Sequence, residues 1–425
     1  MNARADGGSL GVKPTKTLLI LSNGHGEDVV GRRLAQRIGT RAGERLRIVA
    51  FPTIGAGDAY RRAGIHVVGV QGELPSGGFA YLSLKNTLMD LRAGWPRLLL
   101  RQMAYLRRHR DEWDAVLGVG DLFSVYLNRF ILKKPMSWAA IAYSVHSAGP
   151  SGYPVHPGWW RPLRRGDVQA FVRDPETRNL LRLAGIASEY VGNPMMDDLA
   201  PDRTLLGRMQ AALGAESLDG QMPLIVLLPG SRQDAVRNLP DQLEALRLLY
   251  HRTGGRVRGA VAWAPWQPVE GLRPALARVG WRVREAGHLA APGVVLQGPE
   301  GLELSLFVGA FAELIHLATL AIGQAGTAVE QAVGLGRPVV SCPSPGTQVT
   351  RSFLAAQQRL LGEALAVTEA SPAALAEEAL AILQDPARYR RMAAAGRQRM
   401  GPPGASEAIA RRVVDRLLRG QVLTA

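Results

Sequence analysis

Residues 319–340 constrain this chain more than any other stretch. Ala321-Ile322-Gly323-Gln324-Ala325-Gly326-Thr327-Ala328-Val329-Glu330-Gln331 runs on through Ala332–Arg337 into Pro338-Val339-Val340. The order of residue types predicts strand, tight glycine turn, helix, strand. Glycine lets the backbone approach a ligand closely. A helix opening near Thr327 presents unpaired N–H groups and a positive dipole end, which suit a phosphate. Glu330 and Gln331, one turn in, can reach a sugar hydroxyl. The alternative is an ordinary βαβ turn with no ligand.

The rest of the chain carries the same rhythm twice. Thr17–Ser22 is an apolar run that ends in Asn23-Gly24-His25-Gly26-Glu27-Asp28, with a helix expected over about Val29–Ile38. Strands are expected at 45–51, 65–70, 114–120, 137–142 and 169–172, and Tyr190–Pro194 closes the first half. A polar helical linker follows at about 202–220. Leu224–Leu228 restarts the pattern as a continuous apolar strand, the mark of burial on both faces. It turns at Pro229-Gly230-Ser231-Arg232, and a helix is expected over about Leu239–His251. Strands at 260–264 and 294–296 lead to the opening element. Helices at 350–363, 372–384 and 386–400 come next, and Pro402-Pro403 breaks the chain before a last helix, Ser406–Arg419.

Alternating strands and helices indicate doubly wound parallel sheets, which bind ligands beyond the carboxyl ends of their strands. The chain therefore divides into a loose tail (1–16), a first α/β domain (17–200), a linker (201–220), a second α/β domain (221–400) and a terminal segment (401–425) that crosses back onto the first domain. The tail is polar and has no apolar core of a signal peptide. No run reaches the roughly 18 apolar residues of a membrane span.

Charge narrows the partner. The 425 residues carry 51 Lys+Arg against 36 Asp+Glu, a net charge of +15, and lysine occurs only at Lys13, Lys16, Lys85, Lys133 and Lys134. Arginine forks across phosphate oxygens better than lysine does. An anionic partner is implied: nucleic acid, anionic lipid or a phosphorylated substrate. The only cysteine, Cys342, follows an apolar strand and reads as a buried thiol, consistent with a reducing cytoplasm.

One helical segment stands apart. Over 84–110, Leu84, Leu88, Leu91, Trp95, Leu98, Leu99, Met103 and Leu106 recur at helix spacing, with Arg92, Arg97, Arg101, Arg107, Arg108 and Arg110 between them and Pro96 as the expected break. Such a segment either lies in a membrane interface or packs on the core with a solvated basic face.

Five pieces fall in one order: Ser22–Asp28, Gly118–Asp121, Val191–Pro194, Leu227–Arg232 and Gly326–Val340. In that order they resemble bacterial lipid-A-disaccharide synthase and its relatives. The Asn-Gly-His-Gly-Glu-Asp opening looks most like the lipid-A-disaccharide-synthase-related group, and the 326–340 phrase resembles the donor signature of GT-B glycosyltransferases. The resemblance covers about residues 17–345. It implies a GT-B fold: two Rossmann-like, doubly wound parallel-sheet domains facing a cleft. It implies an inverting hexosyltransferase that moves a sugar from a UDP-sugar, of the UDP-GlcNAc type, to a lipid-linked acceptor without an essential metal or other cofactor. It also implies a peripheral position at the inner face of the plasma membrane. The family's Gly-His-Pro stands here as Gly192-Asn193-Pro194, which makes Asn193 a candidate substrate contact. The family's single donor glutamate falls at Gln331 by its spacing to Pro338, with Glu330 one earlier, so either of the two could hold the ribose.

The chemistry needs a base at the acceptor hydroxyl and a positive environment for the departing diphosphate. His25 and Asp121, both at predicted strand ends of the first domain, are the candidate base and its orienting partner, in either order. A backbone-bonding turn and a helix N-cap are their structural alternatives. Arg232 with Gly230 and Ser231 would face the diphosphate, and Gly326 and Thr327 would donate to it. Glu27 and Asp28 read as first-turn acids. Trp263 and Trp266 read as packing residues rather than as a uracil stack. No His/Cys/Asp cluster shows metal-ligand spacing in the sequence. Two other readings share these residues: a UDP-sugar 2-epimerase, and a non-catalytic binder of anionic lipid or nucleic acid. Nucleic acid is not the expected partner.

Overall fold

The computed structural model describes residues 16–74, 84–148, 157–164, 167–214, 222–231, 234–285, 290–344, 346 and 349–420. The first half builds a parallel sheet from β1 (Lys16–Ser22), β2 (Leu46–Pro52), β3 (His66–Val67), β4 (Ala115–Val119), β5 (Met136–Ala140), β6 (Val168–Val172) and β7 (Ser188–Tyr190), in the order β3-β2-β1-β4-β5-β6-β7. The second half contributes β8 (Leu224–Leu228), β9 (Arg258–Trp263), β10 (Arg282–Glu285), β11 (Gly293–Gln297), β12 (Glu303–Val308), β13 (Leu320–Gly323), β14 (Val339–Ser341) and β15 (Leu365–Val367). Their order is β10-β11-β12-β9-β8-β13-β14-β15, and all pairs are parallel except β10–β11 and β11–β12.

Both sheets are covered on both faces, as their apolar runs require. Alternate residues of β1 show it. Leu18 and Ile20 join a core with Leu34, Ile38, Ile409 and Val413, whereas Leu19 and Leu21 face Leu106, Trp113 and Trp138. β8 behaves the same way, with Ile225 and Leu227 packing under the helix Ala235–Arg252 and Val226 on the opposite side.

The terminal helix Ala405–Arg419 belongs to the second half in sequence but lies on the first. Its Glu407 pairs with Arg41 of the helix His25–Ala42, its Arg412 pairs with Glu189 at 2.7 Å, and Leu417 accepts from the Lys16 ammonium. The link between the halves is also clamped. Asp197 accepts the backbone N–H groups of Gly404 and Ser406.

Several elements differ from expectation. The first helix starts at His25, not Val29, because Gly24 (φ 140°) ends the strand exit abruptly. The break in the basic helical segment falls at Ala93-Gly94, giving helices Leu84–Arg92 and Trp95–Arg108, and Pro96 sits in the first turn of the second, where proline is tolerated. The helix expected from Leu239 starts earlier, at Ala235, and holds Pro240 in its interior. Strands β10, β12 and β15 were not anticipated. Residues 1–15, 215–220 and 421–425 of the expected tail, linker and terminus lie outside the described residues, as does much of the 143–162 loop.

Candidate active site

In each sheet the strand order reverses beside a central strand, and doubly wound folds open their ligand crevice at that point. In the first half this point lies between β1 and β4. β1 exits through Asn23 and Gly24, and β4 exits through Gly120 (φ 97°) and Asp121. Asn23 ties the two exits together. Its Nδ2 donates to Asp121 Oδ2 at 2.7 Å, its backbone N–H donates to Glu27 Oε2 at 2.6 Å, and its Oδ1 accepts from the Thr53 hydroxyl at 2.7 Å. Asp121 Oδ1 accepts from the Phe123 N–H at 2.9 Å, at the first residue of the short helix Phe123–Leu127.

Glu27 closes the cluster. A Cβ on Gly120 would lie 1.8 Å from Glu27 Oε1, so only glycine leaves space for that carboxyl. Burial, then the Asp121 charge, pushes the Glu27 carboxyl well above the usual carboxylate range, against the bonds it accepts from Asn23 and Asp121 N–H groups. Burial also raises Asp121, opposed by its bonds from Asn23 and Phe123. The two carboxyls titrate as a pair. The sequence reading of Glu27 as a helix-dipole acid is thus incomplete.

Asp28, its neighbour, turns away into the core. Ser22 Oγ donates to Asp28 Oδ1 at 2.6 Å, and Tyr60 OH donates to Ser22. Burial, with the Asp58 charge adding to it, pushes Asp28 up to about 7.

In the second half the order reverses between β8 and β13. Gly230 (φ 110°) follows β8, and a Cβ there would lie 3.3 Å from the Gln324 carbonyl. Ser231 is exposed, and its carbonyl accepts the Trp266 indole N–H at 2.9 Å. Trp263 is buried in the core. After β13, Gly326 leads into the helix Thr327–Gly334, and Gln357 Nε2 donates to the carbonyls of Ala325 and Gly326. Thr327 is exposed at the helix start.

The two reversal points face each other. A methyl group on Gly26 would lie 3.2 Å from Thr327 Oγ1. The structure therefore brings the start of the helix carrying His25, Gly26 and Glu27 against the start of the helix carrying Gly326 and Thr327. His25 is the first residue of its helix; its side chain, and Arg232, lie outside the described residues.

Three candidates take other roles. Glu330 Oε2 pairs at 2.8 Å with Arg173, which is 3% exposed and also donates to the Ile141 carbonyl. Gln331 Nε2 donates to the Met195 carbonyl at 2.7 Å. Both side chains thus bridge the halves in this structure. Asn193 is fully buried; its Oδ1 caps the turn Pro194–Met196 through the Met195 N–H, and its own N–H donates to the Pro402 carbonyl. An amide beside a proline is a turn cap before it is a ligand. Arg173 was missed entirely; nothing in its local sequence marks it.

A separate cavity of about 520 Å³, lined by Tyr250, Arg258, Glu300 and Glu303, opens where β9 and β12 begin. That is the wrong end of the sheet for a ligand of this fold.

The chain is 28% identical over 277 residues to lipid-A-disaccharide synthase of Alkalilimnicola ehrlichii, covering 64% of each chain. It is 29% identical over 242 residues to the Aromatoleum aromaticum synthase, covering 56% of this chain and 54% of that one. The chain thus spans between about half and just under two thirds of the length of these curated relatives. No family model matches it. Among solved structures it is similar to the UDP-GlcNAc 2-epimerase of Neisseria meningitidis bound to UDP-GlcNAc (TM-score 0.57, 12% identity, 95% of this chain and all of that one). It is equally similar to CalG4, the calicheamicin glycosyltransferase (0.57, 15%, 95% and 99%), and less so to Acinetobacter baumannii MurG (0.51, 16%, 95% and 99%). The fold is GT-B, and the chain is a distant relative of the lipid-A-disaccharide synthases.

Proposed function

We propose that this protein is an inverting glycosyltransferase that moves a sugar from a UDP-sugar to a lipid or lipid-linked acceptor at a membrane surface. The observation that carries the reading is a juxtaposition. The carboxyls of Asp121 and Glu27, both with raised proton affinity, lie at the strand exits of the first half, and the adjoining Gly26 sits so close to the glycine turn Gly326-Thr327 of the second half that an added Cβ would lie 3.2 Å from Thr327 Oγ1. The kinship with lipid-A-disaccharide synthases supports both the transfer and the lipid acceptor.

The acceptor hydroxyl attacks the anomeric carbon from the face opposite the nucleotide. The O–C bond forms as the C–O bond to UDP breaks. Ionised Asp121 takes the hydroxyl proton, Asn23 holds the carboxylate in place, and Glu27 stays neutral beside it. His25, on the first residue of the adjoining helix, orients the acceptor. A carboxylate whose affinity for protons is raised is a better base near neutral pH. The charge that develops on the diphosphate meets the start of the helix Thr327–Gly334, the N–H groups around Gly230 and Ser231, and Arg232. Either Glu330 or Gln331 holds the ribose after exchanging its present partner. This scheme assigns no step to a metal.

No described helix is long and apolar enough to cross a membrane. Contact with anionic lipid fits the helices Leu84–Arg92 and Trp95–Arg108, where Leu88, Leu91 and Leu100 are exposed among exposed Arg92, Arg97 and Arg101. The cytoplasmic leaflet, rich in anionic lipid, is the surface this charge suits.

The epimerase neighbour supports the second reading, a UDP-sugar 2-epimerase. Incubation of labelled UDP-GlcNAc with the protein and bacterial lipid extract separates the two. Label entering the lipid phase, and lost with Asp121→Asn, is the expected result. Label remaining on UDP as the 2-epimer, with none in lipid, overturns the transferase.

A further inference from the structure

We propose that His146, Asp174 and Glu176 bind a divalent first-row transition ion, Zn²⁺ foremost. One ligand atom from each lies within 4.8 Å of the other two. His146 is on the turn Val145–Ser147, and Asp174 and Glu176 open the helix Pro175–Leu183 after β6. His146 Nε2 and Glu176 Oε2 are already 3.4 Å apart.

A second observation singles the cluster out. Asp174 is 4% exposed; its Oδ1 caps the helix through the Thr177 N–H at 2.7 Å, but its Oδ2 is buried with no hydrogen-bond partner among the described residues. A buried carboxylate oxygen without a donor is costly. Helix capping explains Oδ1 and the first-turn position of Glu176. It does not explain the orphan Oδ2, which belongs to a carboxyl with an oxygen within 4.8 Å of a ring nitrogen of His146. The neighbouring guanidinium of Arg173 does not resolve the charge, because it is committed to Glu330.

The geometry is preorganised. The Val145 N–H donates to Thr177 Oγ1 at 2.9 Å, which ties the histidine turn to the helix start, and the Ser144 hydroxyl accepts from the His146 N–H. Bonds of about 2.0–2.2 Å let one ion join atoms up to about 4.4 Å apart. A rotamer adjustment of exposed Glu176 completes the set. One imidazole with two carboxylates suits Zn²⁺, Co²⁺ or Mn²⁺, whereas Mg²⁺ and Ca²⁺ prefer oxygen alone. The two carboxylate charges outweigh the roughly half charge of the helix start.

The ion would act as a staple. The turn it fixes lies against the helix Arg351–Leu361 of the second half, whose Arg359 donates to the Ser147 carbonyl. This inference does not rest on the transferase reading, and its ion holds the first wall rather than the diphosphate.

The test is a titration of the metal-stripped full chain with Co²⁺, read by visible d–d bands, and with Zn²⁺ by calorimetry. One tight equivalent is expected. Asp174→Asn keeps the cap, and both it and His146→Ala should weaken binding by at least about 10- to 100-fold. Exposed Glu176→Gln weakens binding without threatening the fold. His251→Ala, at the exposed His251–Glu300 pair, should change nothing. Absence of d–d bands in the wild-type chain overturns the site, and so does binding that survives in all three site variants or disappears with His251→Ala.

Discussion

Asp121 and Glu27 divide one task between them. In the proposed scheme Asp121 ionises and takes the proton, and Glu27 keeps its own. Asp121→Asn should lower kcat by about 100- to 10,000-fold. Glu27→Gln mimics the neutral acid and should stay within about tenfold of wild type in the same assay. The acid limb of kcat/KM should lie above the ordinary aspartate range near 3.9, because burial raises Asp121. A limb at or below that value, or a Glu27→Gln variant as dead as Asp121→Asn, contradicts the division. Asp28 gives an independent check on stability. Its folded value is raised from 3.8 to about 7, so its contribution is full at low pH and is lost as pH rises through about 7. Asp28→Asn removes that loss. Its melting temperature relative to wild type should rise by at least about 2 °C between about pH 4 and pH 8; a pH-independent difference rules the ionisation out. At this scale the sequence showed where the chemistry lies, since Asp121 and the Asn23–Asp28 turn both close predicted strands. It could not show that Gly120 leaves a hole filled by Glu27, because that contact depends on β1 and β4 being neighbours.

Elements were legible wherever burial dictated composition. The central strands are apolar runs, and β1, β4 and β8 were found on that ground. β10 (Arg-Val-Arg-Glu) is an exposed edge strand with charged side chains, and β15 is three residues between two helices, so neither carries the signal. β12 alternates in the manner of a strand over residues 303–306. The basic helices divide by burial: Leu106 and Gln102 are buried in the core, and Leu88 and Leu100 are 54% and 66% exposed. Leu88→Glu with Leu100→Glu should leave folding intact and cut binding to anionic vesicles by tenfold or more, given about 1.5–3 kcal/mol for each leucine fully buried. Vesicle flotation checks it. Unchanged binding assigns the exposed leucines no part in lipid contact.

The whole molecule is two α/β halves joined through a shared apolar cluster and by polar ties across it. Buried Arg173 reaches across to Glu330, and the terminal helix returns to the first half. Glu330→Ala strands a buried guanidinium and should cost about 3–5 kcal/mol in denaturant unfolding, with Glu330→Gln intermediate. A cost below about 1 kcal/mol means the charge finds water instead. This tie was invisible beforehand, because Arg173 and Glu330 lie in different domains and only the folded arrangement joins them.

The central claim is that the cleft holds a nucleotide sugar. Thermal unfolding of the intact chain with UDP, UDP-GlcNAc, UDP-glucose, UDP-galactose, GDP-mannose and TMP, repeated for Arg232→Ala, tests it most directly. At about 100 times its dissociation constant a ligand stabilises by roughly 2.7 kcal/mol. The account predicts a shift with the UDP compounds that Arg232→Ala abolishes. No shift with any nucleotide would contradict the transferase and the epimerase together.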